Sequence, residues 1–274
     1  MTVRIKIPAA ARIMTGFFFK TVVLFLFCVM IIFMRIDKLL CEMNIGSRSE
    51  VKSFLKKGQI LVNNVAVNKP DTKVDEKTAV ITFKGKEYRY APFAYYMMNK
   101  PAGVVSATTD DKDRTVLDLL KENLLQNRGE LTGIPLSDIF PVGRLDKDTV
   151  GLLLLTNDGE LAHRLLSPKK HVPKTYYVET DGVLTQEAAK CLEQGVDIGE
   201  KELTKEAEVE ILSEKSCTIT ITEGKFHQVK RMFQAVDLKV MYLKRLSMGT
   251  LKLDEQLAEG EVRKLTQEEV EKLC

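Results

Sequence analysis

Cysteine is scarce in this chain and nowhere paired. The five thiols, Cys28, Cys41, Cys191, Cys217 and Cys274, are odd in number and scattered, and no C-x-x-C occurs. That pattern supports neither a disulfide framework nor a zinc ribbon, and it fits a reducing cytosol. His163 and His227 stand at no metal-ligand spacing, so no metal is expected, and both read as structural or polyanion-facing side chains. A phosphate-cradling glycine loop is missing too. Acids are missing from the first 33 residues, which hold four Lys/Arg and no Asp or Glu.

Charge then changes along the chain. Residues 34–93 hold 12 Lys/Arg against 7 Asp/Glu, and the remainder 25 against 31. A small basic unit joined to a larger, mildly acidic one suits a division of labour in which the first holds a polyanion and the second works on it, although charge runs also arise as solvated faces. At 274 residues there is room for one large domain and a small one.

"GFFFKTVVLFLFCVMIIFM", residues 16–34, carries one charge, Lys20, and as a helix would span about 28 Å. That is a marginal membrane span. With Arg4, Lys6 and Arg12 ahead of it the stretch also resembles a signal peptide, but no small-x-small cleavage site follows. Basic residues on both sides give no orientation. We expect residues 1–33 to be a hydrophobic leader outside the fold, with Met34 the start of the functional chain.

From Met34 the pattern is that of a folded unit. Ile36, Leu39, Leu40 and Met43 fall at helical spacing. Ser47 and Glu50 form a capping box that opens a second helix, and Gly58 closes it. "ILVNNVAVN" then reads as two short strands around Asn63-Asn64, residues that tolerate the left-handed backbone of a hairpin turn. Candidate RNA contacts are Arg35, Arg48, Lys52, Lys56 and Lys57, most of them on the second helix. The phrases R-x-D-K-x-L, S-R-S-x-x-K and V-x-V-N arrive in register, and over about 45 residues this unit resembles the small RNA-binding S-four domain first described in a ribosomal small-subunit protein.

Residues 94–274 are expected to form an α+β domain on a mixed, largely antiparallel sheet flanked by helices. "YYMMNKP", "KTYYVET", "SCTITITE", "KVMYLKRL" and "GTLKL" read as strands. "TVLDLLKENL", 185–195, 225–236 and 266–273 read as helices, the last opened by a Thr266/Glu269 capping box. Between them lies "PVGRLDKDTVGLLLLTNDGELAHRL". Its run Leu152 to Leu155 is the signature of a strand buried on both faces, which pins the preceding loop to the core. Gly143 permits a tight turn there, Asp146 is delivered at the strand's mouth, and Asn157-Asp158-Gly159 turns the chain into a helix. A carboxylate held rigidly suits chemistry, but an Asp in a loop is usually a turn former or cap, and spacing alone does not lift Asp146 out of that class.

"GRLDKDTVGLLLLTNDG" resembles the signature of the pseudouridine synthases, in the bacterial branch that joins an S-four domain to a synthase domain. "MNKPAGVVSA", "KTYYV" and "EGKFHQVKRMF" agree, so the resemblance runs from Met34 to the end of the chain. It implies isomerisation of a uridine within RNA. The bond from the sugar to nitrogen breaks, the uracil turns, and it rejoins the sugar through carbon, with no cofactor.

By this resemblance Asp146 acts at the ribose, either as a nucleophile on the anomeric carbon or as the base that draws off a sugar proton. Lys230 is its basic partner, and Tyr176 stacks on the everted uracil. A carboxylate in a dry pocket tends to take up a proton, which a nearby cation opposes. The target must be flipped out of structured RNA at a cost of a few kcal/mol, and Arg144 is the candidate wedge or phosphate contact. Gln228 caps or packs.

"KELTKEAEVEI" and "EGKFHQVKRMFQAVDLKV" look more like the enzyme for 16S rRNA than its relatives for 23S rRNA. The expected partner is therefore 16S rRNA or the assembling small ribosomal subunit, met by a cytoplasmic monomer. A 23S enzyme of the same branch, a non-catalytic ribosome-assembly factor and a membrane-anchored protein are the alternatives.

Overall fold

The computed structural model describes residues 33–43, 45–126, 134 and 136–273, which fall into two compact units meeting in sequence between Tyr90 and Ala91. The hydrophobic leader lies outside the described residues except for Phe33. That residue belongs to β1 (Phe33–Arg35), which pairs antiparallel with β4 (Lys73–Asp75) and sets Phe33 opposite Asp75.

In the first unit, α1 (Ile36–Glu42) buries Ile36, Leu39 and Leu40, and α2 (Arg48–Lys56) buries Val51 and Leu55. The apolar faces meet Ile60 and Ile81 in one core. The capping box of α2 closes both ways: the Ser47 amide donates to Glu50 Oε2 at 2.9 Å, and the Glu50 amide donates to Ser47 Oγ at 3.5 Å. The hairpin of β2 (Ile60–Val62) and β3 (Val65–Ala66) turns on Asn63 and Asn64, with φ of 49° and 65°. The sequence reading stops there, but the sheet continues through β5 (Val80–Phe83) and β6 (Lys86–Arg89) in the order β3-β2-β5-β6.

The second unit is built on nine strands. β7 (Tyr95–Lys100) leads through α3 (Val116–Gln126) and the short β8 (Phe140–Pro141) to β9 (Val150–Thr156) and α4 (Gly159–Leu166). β10 (Lys174–Thr180), α5 (Gln186–Gln194), the pair β11 (Glu208–Ser213) and β12 (Ser216–Ile221), and α6 (Gln228–Gln234) follow. β13 (Val240–Met248), β14 (Leu251–Lys252), β15 (Val262–Lys264) and α7 (Gln267–Leu273) complete it.

Strand order is β11-β12-β10-β13-β9-β7-β15, with β14 on β13 and β8 on β9. All pairs are antiparallel but β9 with β13, so the sheet is mixed as expected. Leu153 and Leu155 pack into one core with Tyr96 and Met98, while Leu152 and Leu154 pack into another with Met97 and Leu161. Both faces of β9 are covered, and that is why its sequence is apolar without alternation. Gly151 is required where β9 crosses β13: with φ of 99°, a Cβ there would meet the Arg245 carbonyl oxygen at 2.4 Å.

No helix among the described residues is long and apolar enough to cross a membrane. The helix expected over 225–236 is shorter and starts at Gln228, because His227 takes a left-handed φ of 47° that cannot propagate a right-handed helix. Residues 225–227 instead form a turn, closed by the Lys225 amide on Gln228 Oε1 at 2.9 Å.

Candidate active site

The loop ahead of β9 is fixed from beneath. Gly143, with φ of 78°, makes the turn into it. Leu145 is buried and tied to Ser106, whose hydroxyl donates to the Leu145 carbonyl at 2.9 Å and accepts the Leu145 amide at 3.0 Å. Lys100, at the end of β7, has no exposed surface at all. Its ammonium donates to the carbonyls of Pro101, Asp146, Lys147 and Thr149 at 3.0, 3.1, 3.3 and 2.9 Å. Burial pulls its pKa down to about 8, with Asp148 and Asp146 acting the other way. "MNKPAGVVSA" is thus the clamp that holds the loop, a role the sequence reading did not give it.

Asp146 projects from this loop toward α6. Lys230 Nζ lies 3.2 Å from Asp146 Oδ2, and His227 Nε2 lies 3.4 Å from Asp146 Oδ1. The lysine is shared: its shorter contact, 2.5 Å, is to Asp148 Oδ1. Burial opposes charge on Lys230, but hydrogen bonds to Asp148 and Asp146 prevail and raise its pKa. The same bond from Lys230 holds the Asp148 carboxyl below its ordinary range. Sequence reading missed Asp148 and took His227 as structural or RNA-facing, not as a neighbour of Asp146. The available signals were the second acid of "DKD" and the first residue of "HQVK", two positions before an inward-facing Val229.

A cavity of about 780 Å³ opens over this group, and Arg144, Asp146, Tyr176 and Lys230, all singled out from sequence, line it. Its floor is one face of the sheet, where Lys174, Tyr176, Leu243 and Arg245 lie side by side on β10 and β13. Phe226 stands at the cavity 68% exposed, stacked on the His227 ring at 3.8 Å and 20°. Arg231 faces elsewhere, donating to Glu200 at 2.9 Å and to the carbonyls of Phe226 and Ile198. Gln228 is buried and braces the turn through Glu223 Oε2 at 2.9 Å. His163 is exposed on α4 and does not line the cavity.

The candidate RNA contacts of the first unit form a separate group. Arg48, Lys52, Lys56 and Lys57 are all exposed on α2 or its C-cap. Arg35, on β1 rather than on a helix, is exposed but already bidentate with Asp37 at 3.0 and 2.8 Å. Among the described residues no group of His, Cys, Asp and Glu is set to hold a metal ion.

Against known proteins, residues 94–235 match the family of RNA pseudouridylate synthases, and residues 34–80 match the S4 domain. The chain is 48% identical to the uncharacterised RNA pseudouridine synthase YtzG of Bacillus subtilis over 86% of its own length and 97% of that protein's. It is 40% identical to ribosomal small subunit pseudouridine synthase A of Vibrio cholerae, over 86% and 98%. A crystal structure of a pseudouridylate synthase superposes with a TM-score of 0.60 at 35% identity, covering 88% of this chain and all of that one.

Proposed function

The chain belongs to the RNA pseudouridylate synthase family, and from that premise we propose that it converts a uridine of 16S ribosomal RNA to pseudouridine, with Asp146 as the acting carboxylate. One observation carries the assignment: within a single cavity an aspartate on a clamped loop meets an ammonium from α6 at 3.2 Å, beside a tyrosine of the sheet floor. Support for the small-subunit target comes from relatives such as the Vibrio cholerae protein, named for the small ribosomal subunit.

The everted uridine enters the cavity with its base against Tyr176 and its ribose toward Asp146. Lys230 and His227 meet the two carboxylate oxygens, so the acid is oriented and its charge balanced before substrate arrives. The C1′–N1 bond breaks and its electron pair leaves with the uracil. Asp146 takes up the sugar's deficit either by bonding to C1′ or by removing a C2′ proton. The ring turns and C5 bonds to C1′ as the Asp146–C1′ bond breaks or as Asp146 returns its proton to C2′; the C5 proton is then lost and N1 gains one. No atom is gained or lost overall, and no cofactor takes part. Phe226, exposed beside His227, offers a stacking face to a neighbouring base of the RNA. The α2 cations meet phosphates, and the enzyme works in the cytoplasm as a monomer.

Pseudouridine mapping in 16S and 23S rRNA tests this in a strain lacking the gene, complemented with wild type or Asp146→Asn. One 16S pseudouridine is expected to vanish, to return with wild type and to stay absent with the variant. Loss of a 23S pseudouridine moves the target, and an unchanged map in both RNAs overturns the proposal.

A further inference from the structure

Two cations are buried in the floor of the cavity with no ion pair among the described residues. Arg245 is 2% exposed, and among the described residues its guanidinium makes one hydrogen bond, from Nε to the Leu152 carbonyl at 2.7 Å. Its Nη2 is buried with no partner. Lys174, 9% exposed, donates to the Val172 carbonyl at 3.0 Å, and its pKa is pulled down by burial and by Arg245. A desolvated guanidinium without a counter-ion is costly in a folded protein, so one retained in a cavity wall points to a use.

Position says which. Arg245 and Tyr176 are directly opposed in the register of β10 and β13. Opposed residues of an antiparallel pair project from the same face, with Cβ atoms about 5 Å apart. A base lying on Tyr176 therefore has the guanidinium at its edge. The backbone of Arg245 is also pressed against Gly151 of β9, which fixes its distance from the loop carrying Asp146. Of the other cations lining the cavity, Lys230 is committed to Asp146 and Asp148, Lys147 to Asp113 and Lys225 to Glu223, while Arg144 lies on the loop beside Asp146.

We propose that Arg245 carries the negative charge that develops on the uracil as it is expelled. This rests on the reading of the reaction given above. When the C1′–N1 bond breaks, the electron pair passes to N1 and spreads onto the ring's carbonyl oxygens. A fixed cation beside that ring lowers the barrier because the uncharged substrate gains less from it than the departing anion does. The charge disappears when C5 bonds to C1′ and N1 is protonated, so Arg245 neither gives nor takes a proton.

The test compares single-turnover rates on RNA carrying uridine or 5-fluorouridine at the target, read as loss of the intact nucleoside from nuclease digests. Fluorine stabilises the expelled anion by itself and so reduces the need for the arginine. Arg245→Met is expected to slow uridine on the order of 100-fold and 5-fluorouridine far less, with RNA affinity unchanged. Arg245→Lys, which keeps the charge, falls between wild type and Met in its rate ratio for the two substrates. If Arg245→Met does not fold, the same ratio is read in Arg245→Lys and Arg245→Gln. Equal losses on both substrates overturn the proposal and make Arg245 a pin between β13 and β9. Wild-type enzyme that leaves uridine intact instead overturns the reading beneath it.

Discussion

The α2 cations Arg48, Lys52, Lys56 and Lys57 stand in solvent in the first unit, whereas the second unit keeps Lys100, Lys174 and Arg245 inside, at 0, 9 and 2% exposure. Exposed lysines are hydrated, movable point charges, and a polyanion meets them by releasing counter-ions. Their attraction is long in range, indifferent to sequence and weakened by salt. Buried cations have no access to phosphate and are hardly screened, but they act strongly on whatever charge appears beside them. The contrast teaches that burial sorts the positive charge of this chain into two kinds: hydrated and open to a polyanion at the surface, desolvated and fixed beside the cavity within.

The largest expected effect lies wholly on the chemical side. Asp146→Asn is expected to abolish pseudouridine formation while RNA affinity, measured by titration, stays near wild type. Turnover close to wild type removes Asp146 from the mechanism. Next is Lys100→Met, which frees the carbonyls of Asp146, Lys147 and Thr149 and lets the loop drift. A displacement near 1 Å costs about 100-fold in rate, again without loss of affinity.

The same lysine gives a pH signature. Its proton leaves as pH rises through about 8, so single-turnover activity is expected to decline there. Stability moves the other way. The folded pKa is about 8 against an ordinary 10.5, so the unfolded chain binds the proton more tightly between those values. The burial penalty present below about pH 8 is therefore relieved as pH climbs, and urea unfolding should show this contribution to stability rising across the window.

On the surface side, replacing Arg48, Lys52, Lys56 and Lys57 with Gln is expected to weaken RNA binding roughly tenfold and to flatten its salt dependence. Each phosphate left without its cation lowers the slope of log K against log salt by roughly 0.7–0.9. The rate on saturating RNA stays as it was. An unaltered slope would dissolve the contrast between the two units.

The smallest effect belongs to a pair that is neither fully buried nor fully exposed. Arg263 holds Glu269 in a bidentate contact at 2.9 and 2.8 Å and Asp254 at 2.6 Å, and its bond keeps the Glu269 carboxyl down at about 2. This stability is present above the ordinary glutamate value of 4.5 and is lost as pH falls toward about 2. Arg263→Met should remove about 1 kcal/mol at neutral pH and flatten acid unfolding over that window.

Legibility in the sequence followed the range of the interaction. The capping boxes at Ser47/Glu50 and Thr266/Glu269, the Asn63-Asn64 turn and the helix opened by Asp158 are settled by residues within a few positions of one another, and each is present. The unbroken apolar run of β9 announced cover on both faces for the same reason. β11 and β15 were not legible: their strand identity depends on partners, β12 and β7, more than on their own mixed sequences. Lys100 looked like any lysine before a proline, and only its place on β7 beside β9 turns it into a clamp.

The sequence by itself determined the local caps and turns and the motifs that name the family, because periodicity and capping act between near neighbours. The tertiary structure alone decided which charges work together. Lys230 reaches Asp148 across 82 positions and Asp146 beside it, and Arg245 comes to face Tyr176. Strand order β10-β13-β9-β7 makes those meetings and strips the buried cations of water, and burial of this kind arises from the packing of distant segments.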